Sequence, residues 1–169
     1  MINAMNSRSR MPVRYLRLAV AAIALLSPIV GAWGNECEVG NVSLSFGAYQ
    51  PLTFPGKLLS TAKDSDATMT VTCAGSSETT YAISLGEASN RRLQHQTDPG
   101  APPMAFNLFM DTDRTVIWGD GVTGASLAGS ATPDSPQTHT IYGRIPGGQH
   151  TLKAGDYAGS VTITVTYDP

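Results

Sequence analysis

The sequence predicts an all-β protein, an antiparallel sandwich of short strands. Three observations predict it. Apolar residues recur with a period of two in separate short stretches, Gly and Pro punctuate the gaps between them, and no stretch beyond residue 34 carries a convincing 3.6-residue period. The composition agrees, with 17 Gly and 11 Pro in 169 residues, 41% hydrophobic and only 14% charged side chains. That is apolar mass for one core and length for one domain. A net charge of −2 lacks the basic excess of a nucleic-acid binder, so no nucleic-acid partner is expected.

The first element is a leader. Arg8, Arg10, Arg14 and Arg17 precede the apolar run 18–30, with no acidic residue among them. The run is shorter than the roughly 20 residues that span a bilayer. A basic start, a short apolar run and Ala32-Trp33-Gly34 read as a secretory signal peptide over residues 1–34, cut after Gly34 or after Ala32. A membrane anchor is the rival reading. Residues 35–169 then form the exported domain, with seven Lys and Arg against thirteen Asp and Glu, a net charge of −6. Export through the Sec pathway places it in the periplasm in transit, then at the cell surface or outside the cell.

The strands follow in order. Val42, Leu44 and Phe46 alternate with Ser43 and Ser45; Met69, Val71 and Cys73 alternate with threonines; Tyr81, Ile83 and Leu85 alternate with Ala82 and Ser84. Met104, Phe106, Leu108 and Met110 repeat the pattern, with Phe109 on the wrong side, and His139, Ile141, Gly143 and Ile145 form a poorer example. The last strand, 157–167, places Tyr157, Gly159, Val161, Ile163, Val165 and Tyr167 on one face and Ser160, Thr162, Thr164 and Thr166 on the other. It is long, β-prone and uncharged from Ala158 to Tyr167. Such a strand at a sheet edge templates aggregation unless it is blunted. Either it lies centrally, or its open side receives a strand from a partner.

Cys37 and Cys73 are the two cysteines. In an oxidising compartment they read as one disulfide rather than a metal or redox pair, since there is no CxxC and no neighbouring His. The chemistry-bearing motifs fail on context. Gly119, Gly121 and Gly124 match GxGxxG by letter, but the residues that follow are a poor helix meeting Pro133, so the segment reads as a turn. Asp111, Asp113 and Asp120 lack the Gly and Glu of a calcium loop. His95, His139 and His150 are scattered and without zinc spacing, Arg91-Arg92 is too short for a phosphate site, and no G-x-S-x-G elbow is present. No catalytic residue, metal, cofactor or small-molecule substrate is expected. Core packing is the default for Leu52, Phe54, Leu58 and Leu59, and burial for Trp118; exposed, these five are the candidate surface contact.

Five stretches, in order and spacing, carry a resemblance. They are Cys37 with Leu44-Ser45-Phe46-Gly47-Ala48-Tyr49, then Thr70-Val71-Thr72-Cys73, Trp118-Gly119-Asp120-Gly121, Thr140-Ile141-Tyr142-Gly143-Arg144-Ile145-Pro146, and Gly155-Asp156-Tyr157 running into the terminal strand. Together they resemble the spore coat protein U domain family, which includes subunits of archaic chaperone–usher pili. The resemblance implies an incomplete immunoglobulin-like sandwich that lacks its last strand. It implies a periplasmic chaperone that fills the gap, an outer-membrane usher, and neighbouring subunits whose donor strands replace the chaperone. The acceptor groove would run along Tyr157, Val161, Ile163, Val165 and Tyr167. The implied function is a structural pilus or coat subunit with a role in adhesion or biofilm formation.

One departure sets this chain apart. Only Asn35 and Glu36 stand between Gly34 and Cys37, too few for a donor strand. Such a subunit accepts a strand without giving one, as a tip or minor subunit. A cut after Ala24 would leave residues 25–36 as a donor, with a very short apolar run and Pro28 inside the strand. The competing functions are a self-contained secreted sandwich that binds carbohydrate or surfaces, and a small hydrolase for which no residue spacing argues.

Overall fold

The structure, a computed structural model, describes residues 36–50 and 61–168. Ten strands are described there: β1 Glu36–Val39, β2 Lys63–Ala74, β3 Thr79–Ser84, β4 Arg92–His95, β5 Met104–Ala105, β6 Asn107–Phe109, β7 Leu127–Ala131, β8 Gln137–Ile145, β9 Tyr157–Ala158 and β10 Thr164–Tyr167. They form a four-stranded sheet, β1-β2-β8-β6, and two three-stranded sheets, β10-β3-β7 and β5-β4-β9. Every ladder is antiparallel. Met69 and Ile141 of the first sheet and Tyr81 and Ile83 of the second meet in one apolar core. The all-β, antiparallel expectation holds.

Cys37 and Cys73 stand directly opposite each other on β1 and β2 and are joined by a disulfide. A covalent closure of 36 positions stabilises mainly by restricting the unfolded chain. It also fixes where the segment after β1 begins.

That segment, 41–50, departs from the expected strand. Val42, Leu44 and Phe46 are half-buried and Ser43 and Ser45 exposed, as the alternation predicts, yet none of them joins a ladder. Cys37 and Val39 face inward on β1. Had β1 continued beside β2 in register, Ser43 and Ser45 would turn in and Val42, Leu44 and Phe46 out, because strand side chains alternate strictly. The chain slips by one residue after Gly40, whose N–H still reaches Thr70 O at 3.0 Å. Burial of three apolar side chains is retained, and the ladder with β2 is forfeited.

The terminal strand is also corrected. It is two short strands, not one. Tyr157 and Ala158 pair with β4, residues 164–167 pair with β3, and 159–163 lies in no ladder. The chain opposite 159–163 is the loop 85–91 between β3 and β4, which is in no ladder. The face assignment holds, with Tyr157, Val161, Ile163, Val165 and Tyr167 half-buried and the intervening Ser and Thr residues exposed.

Candidate functional site

A groove of about 1110 Å³ lies between the segment 42–50 and the stretch 152–163. Leu85, Leu93, Phe106, Leu108, Ile141 and Ile145 are among the side chains that form its floor. No backbone-to-backbone hydrogen bond among the described residues involves 41–50 or 159–163. Two walls whose main chains make no backbone hydrogen bond among the described residues thus flank an apolar trough. Backbone N–H and C=O groups are strong hydrogen-bonding groups, and apolar floor residues gain by leaving water, so one strand laid between the walls serves both.

Each wall is held where it is by side chains. On the first, Leu44 and Phe46 pass over Gly143 of β8, where a Cβ would sit 2.8 Å from the Phe46 ring and 3.1 Å from Leu44 Cδ1. Phe46 meets Phe106 edge-on, centroids 6.3 Å apart. Ser65 Oγ donates to Ser45 O at 2.6 Å, and Tyr49 Oη donates to Pro146 O at 2.9 Å. On the second, Gln96 N–H donates to Asp156 O at 2.9 Å, and Lys153 Nζ meets Asp98 Oδ2 at 2.6 Å. That hydrogen bond from Lys153, helped by one from the Gly100 N–H, holds the Asp98 carboxyl below the usual aspartate range.

Of the five residues expected to form the groove, Tyr157, Val161 and Ile163 line it. Val165 and Tyr167 lie further along β10, packed against the core and paired with Ile83 and Tyr81. The segment 42–50, read from the sequence only as a strand, supplies the opposite wall; its alternation with serines was the available signal.

Trp118 as a surface contact is corrected. It is 0% exposed, its indole Nε1 donates to Ile83 O at 3.0 Å, and its N–H donates to Leu108 O at 2.9 Å. A large aromatic with one donor is best buried where that donor finds a carbonyl. Leu52, Phe54, Leu58 and Leu59 lie outside the described residues.

Sequence reasoning missed Arg91. It is buried, with Nη2 donating to Leu85 O at 2.6 Å and to Trp118 O at 2.7 Å, and Nη1 to Asn107 Oδ1 at 2.9 Å. Burial lowers its pKa, and the charge of Asp120 opposes that effect. The guanidinium ties the loop 85–91 and the Trp118 turn together. No periodic pattern could announce it, because an arginine is read as exposed by default. The acidic residues of the nearby loops serve their own backbones: Asp111 accepts from the N–H groups of Thr115 and Val116, and Asp120 from those of Val122 and Thr123.

The Spore Coat Protein U domain matches residues 27–164. No curated protein matches the chain. Among solved structures, the chain is similar at 17% identity and a TM-score of 0.44 to the CsuC–CsuE chaperone–tip adhesion subunit pre-assembly complex from the archaic chaperone–usher Csu pili of Acinetobacter baumannii. The match covers 79% of this chain and 40% of that one.

Proposed function

The chain belongs to the spore coat protein U domain family, and from that membership and the open groove we propose that it is an exported structural subunit completed by a strand from another polypeptide. The observation that carries the reading is the pairing of an apolar groove with two main-chain walls that lack backbone partners among the described residues. β-Strand addition supplies what both lack, with ladder hydrogen bonds to the walls and alternate side chains into the trough. Each side chain buried there contributes about 1.5–3 kcal/mol, a large share of the roughly 5–15 kcal/mol that holds a domain folded.

The donors that fit a subunit of a chaperone–usher pilus or surface coat are a periplasmic chaperone first and a neighbouring subunit at the outer-membrane usher afterwards. Residues 1–34 act as the export leader, and the protein passes through the periplasm to the cell surface. With two residues between that leader and Cys37, the subunit accepts a strand and gives none. This supports a tip or minor position and a part in adhesion. Its work is assembly rather than catalysis.

The experiment is to mix the purified protein with a labelled peptide of about nine residues that alternates valine and threonine, a strand-length segment. A one-to-one complex by native mass spectrometry is expected, lost when Ile163 or Leu44 is replaced by Asp. Peptide binding that ignores both substitutions places the strand elsewhere and contradicts the reading.

A further inference from the structure

β7 pairs with β3 on one side, and no backbone hydrogen bond among the described residues reaches its other side. A bare edge invites pairing, and folds blunt their edges with charge or cover them. The other described edges are treated in that way. β1 carries the exposed Glu36 and Glu38. β6 is flanked by residues 116–118, through Met110 N–H to Val116 O at 3.0 Å and Trp118 N–H to Leu108 O at 2.9 Å. On β5 the Gln149 side chain stands in for a strand: its Oε1 accepts from the Ala105 N–H at 2.7 Å, and its Nε2 donates to Ala105 O at 3.0 Å. β9 borders the groove, and β10 continues that wall. β7 has neither device, and residues 121–133 contain no charged side chain.

Charge and register name the occupant. Residues 35–169 carry a net charge of −6, which holds copies of the domain apart. The sheet that contains β1 and β2 leaves Glu36, Glu38, Asp64 and Asp66 exposed. The sheet β10-β3-β7 carries only alanine, serine and threonine between its core-facing residues. Two copies of an acidic protein therefore meet at least cost along this neutral edge. We propose that β7 pairs with β7 of a second copy, antiparallel about Gly129, and joins two three-stranded sheets into one. In that register Ala128 stands opposite Ser130 of the second copy, and Leu127 opposite Ala131 of the second copy. Parity is preserved, so the core-facing residues of both copies stay on the buried side. Ala128 and Ser130 are exposed and small, so no bulk holds the two main chains beyond ladder distance. The contact uses the same patch on both copies and closes at a dimer. β3 lies between this edge and β10, so the dimer leaves the groove free.

The test is sedimentation equilibrium of the purified protein up to about 1 mM, with and without the labelled valine–threonine peptide. A reversible dimer is expected in both samples. A protein that stays monomeric throughout overturns the proposal, and so does a dimer that dissociates when peptide fills the groove, since that association belongs to the groove. Ala128→Lys with Ser130→Lys sets lysine opposite lysine twice and is expected to weaken the dimer about tenfold or more. Ala128→Lys with Ser130→Glu sets lysine opposite glutamate in the same register and is expected to restore it. A double-lysine protein that dimerises like the wild type overturns the edge contact, and a lysine–glutamate protein that stays as weak as the double-lysine one overturns the register about Gly129. A second measurement needs no variant: by NMR, amide resonances within 127–131 are expected to move with protein concentration while those of Leu44 and Phe46 stay fixed. Resonances of 127–131 that ignore concentration overturn the proposal.

Discussion

The ring of Phe46 lies over Gly143, and a Cβ on residue 143 would stand 2.8 Å from it. This contact explains a glycine on an inward-facing position of a central strand, where glycine is otherwise a weak choice. It lets the segment 42–50 settle low enough to form a wall of the groove instead of a flap above it.

Gly143→Val is therefore expected to cost about 1–3 kcal/mol, the range for overpacking a filled core. Urea unfolding measures it. Trimming the facing ring with Phe46→Leu in the same chain is expected to recover part of the loss, a non-additivity that identifies the contact.

The same wall is tethered by the disulfide at its start. Reducing Cys37–Cys73, or replacing both with Ser, is expected to lower stability by about 2–4 kcal/mol. Because Gly40 N–H to Thr70 O is the last backbone tie before the groove, exchange of the Gly40 amide is expected to rise more than exchange in β3.

Removing the buried guanidinium strands the carbonyls of Leu85 and Trp118. Arg91→Met is expected to lose about 1–3 kcal/mol by thermal or urea unfolding. Arg91→Lys is expected to recover only part, since one ammonium on a flexible stem cannot reproduce the planar fork.

His139 Nε2 lies 2.8 Å from the Tyr81 hydroxyl, the ring and the phenol also meeting edge-on. Burial lowers the His139 pKa below its ordinary 6.5, so the unfolded chain binds a proton before the folded one as pH falls. The unfolded state then holds more protons, and stability declines from about pH 6.5 downward until the folded-state pKa is reached. His139→Gln is expected to flatten that part of the pH–stability curve, measured as urea midpoints relative to wild type.

The sequence carried the fold class because alternation survives wherever one face is buried. Val42, Leu44 and Phe46 show it even without a ladder, since their pattern reports burial and not hydrogen bonding. For the same reason the break at 159–163 was illegible. Val161 and Ile163 face the groove just as Val165 faces the core, and the loop 85–91 that stands opposite 159–163 in place of a strand is remote in sequence. The slip at Gly40 is legible only once Cys37 and Val39 are known to face inward, because only then does their odd numbering conflict with the even numbering of Val42, Leu44 and Phe46. The buried bond from Arg91 to the Trp118 carbonyl was illegible, because neither partner is visible from spacing.

The most direct measurement compares the protein with a version carrying a short flexible linker and an alternating apolar strand of about nine residues after Pro169. If the interior is one strand short, the extended version is expected to melt about 10 °C or more higher, since 1 kcal/mol moves the midpoint of a domain this size by roughly 2–4 °C. It is also expected to stop binding added peptide. An unextended protein that melts at the same temperature, and an extended one that still takes peptide, would contradict the account.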